Sequence, residues 1–340
     1  MPETLACRTV LDLRCRNDKF ISQTLLLAAG WHRHCAGHSA LEVMYVGEPD
    51  GLVSSFLESI SAACIPCAPG ANDDFSRSSN KIQGAGPDRA GRRVLLVDND
   101  VCFVGPLDAL ASIPANAIAA SEAGNLRVSQ TQWTLIGEEL GLPLIHRRFH
   151  PVNARPDVLG SPLATEGAEP PERPLYLNSG VILFPVGHDH REPWLAHQRR
   201  IHAHFHDHPA RTSAVDESDQ AGFATSVAAH GDFAWLPLRF NYRRGCFHLG
   251  LEPADRISIL HLTGDVANGS ELDISDRIEA YWQKFVRPGI ASIASSIDPA
   301  EAHRRTTIAS DVQAALLELA RDYDLDELLR AIRRSRAMIA

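Results

Sequence analysis

The chain has 340 residues, and 44% of them are hydrophobic, which is enough to bury a sizeable core in one large domain or two small ones. Its formal net charge of -9 at pH 7 argues against nucleic acid or an acidic membrane as a partner, because proteins that bind these carry basic patches. Seven cysteines without a disulfide pattern, no signal-peptide pattern and no run of about 18 apolar residues predict a cytoplasmic protein without a membrane span.

Short strands alternate with amphipathic helices along the first part of the chain. The predicted elements are a strand at Thr9–Leu13, a helix that starts at Asp18 and ends near Gly30, a strand at Leu41–Val46, a helix carrying Val53, Phe56, Leu57 and Ile60, and a third strand within 62–67. Helices between successive short strands are typical of a parallel sheet. The sequence therefore predicts an α/β protein of the doubly wound, Rossmann-like kind, with helices flanking a mainly parallel central sheet.

The strongest strand pattern lies within Arg92–Val104, which reads RRVLLVDNDVCFV. Its four consecutive apolar residues, Val94–Val97, are typical of a central strand that is buried on both faces, and two aspartates follow almost at once. Alternate residues of an extended chain point to the same side and lie about 6.5 Å apart, so Asp98 and Asp100 can both approach one hard cation. We therefore predict a divalent metal site at the end of this strand.

The rest of the chain continues the pattern with longer irregular stretches. The predicted elements are a helix at Gln130–Leu140, a strand at Leu175–Phe184, helices at Pro193–His206 and within Asp216–Ala228, strands at Leu236–Tyr242 and Ile257–Leu262, and two amphipathic helices within Asp311–Met338. The proline-rich segment His150–Pro174 fits either a functional loop or a disordered insertion. The C-terminal helices are predicted to pack on their own domain or on a partner subunit.

Polar residues recur at the ends of the predicted strands. They are Asp98 with Asp100, Asn178 with Ser179, Asp219 with Gln220, and His261. Ligands of open α/β sheets bind outside the carboxyl ends of the strands. We therefore expect these polar residues to face one cleft.

Five motifs carry a family resemblance. In chain order they read VDNDVCFVGPL, YLNSGVILF, DESDQAGF, LPLRFNY and ILHLTG. In this order they resemble glycosyltransferase family 8 and its neighbours of the A-type glycosyltransferase fold, over about Thr9 to Trp282. The resemblance implies a metal-dependent hexosyltransferase-like enzyme that moves a sugar from a nucleotide-diphosphate donor, a UDP-sugar by analogy, to an unidentified acceptor with retention. It also implies a transferase domain at 1–290, with a nucleotide half at about 1–120 and an acceptor half at about 121–290. The C-terminal helices lie outside the resemblance, and they form a predicted helical extension at 291–340 through which the chain is able to form homo-oligomers.

The same resemblance implies roles for individual residues. Asp98, Asp100 and His261 would bind Mn²⁺ or Mg²⁺, and an imidazole among oxygen ligands suits Mn²⁺ better than Ca²⁺. The nucleotide sugar would be bound by Asn17, Asp18, Phe20, Lys81, Asp98, Asn99 and Gly264. The donor sugar and the reaction centre would involve Asn178, Asp219 and Gln220.

Some of these residues also fit purely structural roles. Asp18 is well placed to cap a helix, and Asn178 is well placed to bond to the loop backbone at a strand end. Lys81 and its neighbour Arg77 are competitors for one basic position, and each also fits a solvated surface.

One feature departs from the family pattern. A lysine usually follows the late histidine and glycine and holds the diphosphate, but here Gly264 is followed by Asp265, Val266, Ala267, Asn268 and Gly269. Arg243 and Arg244 are candidates for the missing cation, and their spacing does not choose between them.

Two other functions compete with a transferase. The absent lysine and the added C-terminal helices fit a catalytically silent protein that binds a nucleotide sugar or acts as a scaffold. A sugar-phosphate nucleotidyltransferase is less favoured, because its sheet would carry a glycine-rich phosphate loop after the first strand and Arg14–Phe20 contains no glycine.

Alternate histidines between residues 202 and 208 invite a second metal site. On a helix only His202 with His206, and His204 with His208, share a face. Because no third ligand stands nearby in sequence, a solvated helix face is favoured over a metal site. His188-Asp189-His190 is predicted to be a polar turn.

Overall fold

The structure is a computed structural model that describes residues 5–14, 18–48, 50–69, 79–123, 128–148, 172–212, 219–249, 257–262 and 272–339. The predictions for Asn17, Arg77 and Gly264, and for most of the segment 150–174, lie outside these ranges.

Strands and helices alternate through the described residues. The strands are β1 (Leu5–Asp12), β2 (Ser39–Val46), β3 (Ala63–Pro66), β4 (Arg93–Val97), β5 (Val101–Phe103), β6 (Ile118–Glu122), β7 (His146–Arg148), β8 (Glu172–Pro174), β9 (Leu177–Phe184), β10 (Phe233–Trp235), β11 (Tyr242–Arg243) and β12 (Ile259–His261). The helices are α1 (Asp18–His34), α2 (Gly51–Ser59), α3 (Ser79–Ile82), α4 (Gln130–Thr134), α5 (Arg191–Phe205), α6 (Asp219–His230), α7 (Arg244–Leu249), α8 (Ile274–Tyr281), α9 (Arg287–Ile293), α10 (Pro299–Asp322) and α11 (Leu325–Ile339).

The chain forms two compact units that interleave in sequence. Unit 1 comprises Met1–Ala68, Val97–Ser112 and Pro237–Ala340, and unit 2 comprises Pro69–Leu96 and Ile113–Leu236. The domain boundaries near residues 120 and 290 stay a prediction.

Unit 1 contains the first βαβ repeats and the C-terminal helices. Strands β1, β2 and β3 run parallel in that order, and a second small sheet orders β11, β12 and β5. Between β1 and β2, α1 buries Ile21, Thr24, Leu25 and Ala28 at helical spacing, as predicted. The two predicted C-terminal helices are confirmed as α10 and α11.

Helix α1 extends four residues beyond its predicted end. The sequence predicts an end near Gly30, but the helix continues to His34. A Cβ added at Gly30 would lie 2.6 Å from the carbonyl oxygen of Phe103, so glycine is required there by the close approach of α1 to β5.

Unit 2 orders its strands β10, β6, β9 and β4, with β10 parallel to β6 and β6 antiparallel to β9. The residues of β9 are all buried, as are Val94–Val97 of β4, which confirms both predicted core strands. Helices α5 and α6 cover this core, where Trp194 packs on Phe223 with ring centroids 4.8 Å apart.

The strand predicted at Leu236–Tyr242 is wrong over most of its length. Leu238–Phe240 forms a 3₁₀ turn instead, and only Tyr242 and Arg243 pair as a strand. Pro237 explains the difference, because it has no N–H to donate to a ladder, and its carbonyl accepts from Phe240 N at 2.9 Å to close the turn.

The fold is mixed α/β, with a mostly parallel central sheet, flanking helices and a helical C-terminal part, which confirms the predicted fold class. Among the helices described, none is both long enough and apolar enough to cross a membrane.

Candidate functional site

The acidic triplet after β4 sits where a buried strand ends and another begins. Asp98, Asn99 and Asp100 are half-buried and connect β4 to β5. Val94–Val97 of β4 and Val101–Phe103 of β5 are buried. Strand β12 pairs antiparallel with β5, with His261 opposite Val101, and Leu262 N donates to Asp100 O at 2.7 Å. This pairing brings a distant histidine to the acidic triplet.

Asp98, Asp100 and His261 converge on one point in unit 1. One ligand atom from each lies within 4.8 Å of the others, and His261 Nε2 is 3.1 Å from Asp100 Oδ1. Within the described parts of the chain, this is the only group of three or more histidine, cysteine or acidic side chains that converges in this way. Two carboxylates and one imidazole form a donor set that suits Mn²⁺ or Mg²⁺.

The orientation of the imidazole is fixed by Asn241. The side chain of His261 is only 3% exposed, and its Nδ1 donates to Asn241 Oδ1 at 2.8 Å. With Nδ1 protonated, Nε2 presents its lone pair towards the two carboxylates. A histidine held through its second nitrogen is the usual arrangement at protein metal sites.

The middle residue of the triplet is bonded inside the protein. The amide of Asn99 donates to Thr24 Oγ1 at 2.9 Å and to Thr9 Oγ1 at 3.3 Å, so it fastens the acidic turn to α1 and β1. A role for Asn99 in binding a nucleotide sugar stays a prediction.

The two arginines after Asn241 have different surroundings. Arg243 is 2% exposed, and on the parallel strands β11 and β12 it is the register partner of His261. The guanidinium of Arg244 lies over the ring of Phe285, 4.7 Å from its centroid. Register partners on parallel strands project to the same face, so Arg243 is the one that shares a face with His261.

A second polar cluster lies in unit 2. Lys81 Nζ is 2.8 Å from Asp219 Oδ2 and donates to Ser179 Oγ at 2.9 Å. The carboxylate of Asp219, at the first residue of α6, is thereby held by a cation, and its carbonyl accepts from Trp194 Nε1 at 2.9 Å. Two of the predicted strand-end residues, Ser179 and Asp219, are therefore brought together here by Lys81.

The neighbours of this cluster differ in role. Asn178 is buried, and its Oδ1 accepts from Gly180 N at 3.0 Å, so its backbone contact lies within β9 and not with the predicted loop. Gln220 follows Asp219 in α6 and is half-buried. Their participation in a reaction stays a prediction.

The residues predicted to bind a nucleotide are only partly described. Asn17 and Gly264 lie outside the described ranges, and Phe20 is half-buried in the first turn of α1. Asp18 is in that turn too, and its Oδ2 accepts from Arg333 Nε at 2.8 Å. Sequence reasoning missed this contact because the two residues are 315 positions apart.

The predicted histidine pairs on α5 do share faces. His202 and His206 have ring centroids 5.2 Å apart, as do His204 and His208. In the described part of the chain, no third ligand converges on either pair.

The predicted polar turn around Asp189 contains a buried histidine, His190, whose burial the sequence does not predict. His190 Nε2 lies 2.8 Å from Ser226 Oγ and its Nδ1 lies 3.1 Å from His188 Nε2. Burial, together with the smaller effect of the nearby His188 and His230, lowers the pKa of His190 to about 3. His190 is therefore neutral at ordinary pH.

No family model and no curated protein matches the sequence. Among solved structures, the apo bifunctional glycosyltransferase WbbM is 14% identical at a TM-score of 0.48, covering 85% of this chain and 52% of that one. The glycosyltransferase GlyE of Streptococcus pneumoniae TIGR4 is 14% identical at 0.44, covering 82% of this chain and 63% of that one.

A third similar structure is an active-site mutant of LgtC, which is 13% identical at a TM-score of 0.48 and covers 82% of this chain and 95% of that one. The chain thus spans between half and two thirds of the length of WbbM and GlyE. At such low identities and TM-scores, function has to be argued from the site itself.

Proposed function

We propose that the chain is a metal-dependent glycosyltransferase of the A-type fold that takes its sugar from a nucleotide-diphosphate donor. The observation that carries the proposal is the convergence of Asp98, Asp100 and His261, with His261 oriented by Asn241. A bound Mn²⁺ or Mg²⁺ would neutralise charge on the diphosphate as it leaves. The five sequence motifs support the donor class.

The metal ligands would come from two segments of unit 1. Asp98 and Asp100 supply the negative charge that attracts the cation, and His261 supplies one softer ligand, which favours Mn²⁺. The chain carries a net charge of -9, so an anionic donor would need local positive charge.

Arg243 is the proposed second source of positive charge. It is buried, and it shares a strand face with His261, whereas Arg244 is occupied by the ring of Phe285. A buried guanidinium has fixed donors and always remains charged, so it suits a phosphate oxygen. We propose that Arg243 takes the part of the lysine that the sequence lacks after Gly264.

In unit 2, the proposed donor-sugar residue is Asp219. A carboxylate accepts hydroxyl hydrogens of a sugar, and the ion pair with Lys81 orients the carboxylate of Asp219. Gln220 and Asn178 are proposed to assist it, as the family resemblance implies.

Donor turnover provides the test. The full chain is incubated with a panel of nucleotide-diphosphate sugars and Mn²⁺, and release of the nucleoside diphosphate is compared among the parent, Asp100→Asn and the exposed-helix control Asp311→Ala. We expect Mn²⁺-dependent release by the parent and the control, and loss of release in Asp100→Asn.

Two results would contradict the proposal. Equal release by Asp100→Asn and the parent would remove the metal site from the reaction. Tight Mn²⁺-dependent binding of a donor without any turnover would favour a silent nucleotide-sugar binding protein.

A further inference from the structure

The last helix carries a row of arginines that contact three other helices of unit 1. Arg330, Arg333 and Arg336 follow one another at three-residue spacing on α11, so they lie along one side of it. Each contacts an aspartate at the start of a helix. The pairs are Arg330 with Asp273 at 2.9 Å, Arg333 with Asp18 at 2.8 Å, and Arg336 with Asp50 at 3.4 Å. We call these three residues the arginine ladder.

Two of the helix starts that the ladder contacts lie at the ligand-binding edge of a parallel sheet. Asp18 is in the first turn of α1, which follows β1, and Asp50 caps α2, which follows β2. Each helix therefore begins just beyond the carboxyl end of its strand, where open α/β sheets bind their ligands. Arg333 and Arg336, which contact these two aspartates, therefore lie at that edge.

Arg333 joins two segments of this edge with one guanidinium. Its Nε donates to Asp18 Oδ2 at 2.8 Å, its Nη1 donates to Asp273 Oδ1 at 3.1 Å, and its Nη2 donates to Leu272 O at 2.7 Å. The planar fork of an arginine holds these donors in fixed directions, which the rotatable ammonium of a lysine does not. The start of α1 is thereby fixed against residues 272 and 273.

Both joined segments lead back to the candidate metal ligands. Helix α1 is fastened to the acidic triplet through the bond from Asn99 to Thr24. Residues 272 and 273 follow the segment that begins after His261 and Leu262. Arg333 therefore contacts a helix that is bonded to the acidic triplet and, at residues 272 and 273, the chain that continues from His261.

The carboxylate of Asp18 keeps acceptor capacity while Arg333 holds it. Arg333 Nε bonds to Oδ2, whereas Oδ1 lies 3.8 Å from Arg336 Nη1, beyond hydrogen-bond distance. A carboxylate offers about four acceptor positions over its two oxygens. Asp18 can therefore accept a hydroxyl hydrogen from a ribose while it remains paired.

We propose that Arg333 is a positioning residue for nucleotide binding, which holds Asp18 so that its second oxygen accepts from a ribose hydroxyl of the donor. This inference rests on the proposed function and deepens it. Under it, α11 belongs to the nucleotide-binding edge of unit 1 instead of being a separate extension.

The test compares two arginines of the same ladder. In the full chain, Arg333→Gln removes the contacts to Asp18, whereas the matched control Arg330→Gln removes a ladder arginine that contacts Asp273 and Glu327. Calorimetric titration measures the affinity for UDP, GDP, ADP and CDP with Mn²⁺, and for Mn²⁺ alone. For the nucleoside diphosphate that binds, we expect Arg333→Gln to weaken affinity about tenfold and Arg330→Gln to change it less than about twofold, with Mn²⁺ affinity unchanged in both.

A further measurement separates positioning from general stability. The parent should prefer the nucleoside diphosphate over its 2′,3′-dideoxy analogue, and Arg333→Gln should reduce that preference, because the ribose hydroxyls are what Asp18 would bind. Arg333→Lys, which keeps the charge but not the fork, should restore only part of it.

The outcomes distinguish the two proposals. If no nucleoside diphosphate binds the parent, the proposed function fails and this inference fails with it. If the parent binds one but Arg333→Gln binds it as the parent does, or no more weakly than Arg330→Gln, only the role of Arg333 is overturned. An unchanged preference for ribose hydroxyls in Arg333→Gln would overturn it as well.

Discussion

Acid should destabilise unit 2 through His190. Burial lowers the pKa of this side chain from an ordinary 6.5 to about 3, so the unfolded chain binds a proton between these values that the folded chain does not. The contribution of His190 to the free energy of unfolding is therefore fully present above about pH 6.5, and it is lost as pH falls from there towards 3. At about pH 5 the loss from His190 alone should be about 2 kcal/mol, since each pKa unit corresponds to about 1.4 kcal/mol.

Hydrogen exchange of peptides from β9 and α6 measures this loss within unit 2, because local opening free energies follow from amide protection. His190→Gln removes the titrating ring, and its opening free energy should fall about 2 kcal/mol less than that of the parent between about pH 7 and pH 5. His303→Gln, in an exposed position on α10, should behave as the parent does. If the parent and His190→Gln lose equal stability over this interval, burial of a neutral His190 is not the cause.

Three further predictions concern the candidate site. Lys81→Met should destabilise unit 2 by about 3 kcal/mol, because it leaves the buried carboxylate of Asp219 without its cation. A double-mutant cycle with Asp219→Asn should show coupling between the two residues, and additive losses would contradict the ion pair. Asn241→Ala should weaken Mn²⁺ binding about 10- to 100-fold in a metal titration while circular dichroism shows the fold retained, and unchanged affinity would remove its orienting role. Arg243→Met should weaken the binding of UDP with Mn²⁺ about tenfold and Arg244→Met less than about twofold, and the reverse order would assign the cation to Arg244.

The sequence predicted the features that depend on short-range pattern. The run Val94–Val97 reads as a buried strand because its apolar residues are continuous, and the strand occurs there. The paired strands β5 and β12 then bring His261 to Asp98 and Asp100, as the shared position at strand ends led us to expect.

The features that the sequence did not predict depend on contacts between residues far apart in the chain, which short-range patterns do not contain. In a sequence, a glycine that ends a helix looks the same as a glycine that lets a helix approach a strand. The sequence therefore does not reveal that Gly30 lies against Phe103 in the middle of the helix. His190 reads as part of a polar turn, because its burial depends on Ser226, 36 positions away. The bond from Arg333 to Asp18 joins residues near the two ends of the chain, and no local sequence pattern predicts it.

Pulsed EPR on the Mn²⁺-loaded chain examines the proposed metal centre at the level of its ligands. Mn²⁺ bound by Asp98, Asp100 and His261 should show hyperfine coupling to one imidazole nitrogen, and this coupling should disappear in His261→Gln. Bound Mn²⁺ without nitrogen coupling in the parent, or coupling that persists in His261→Gln, would contradict this metal centre and the glycosyltransferase function built on it.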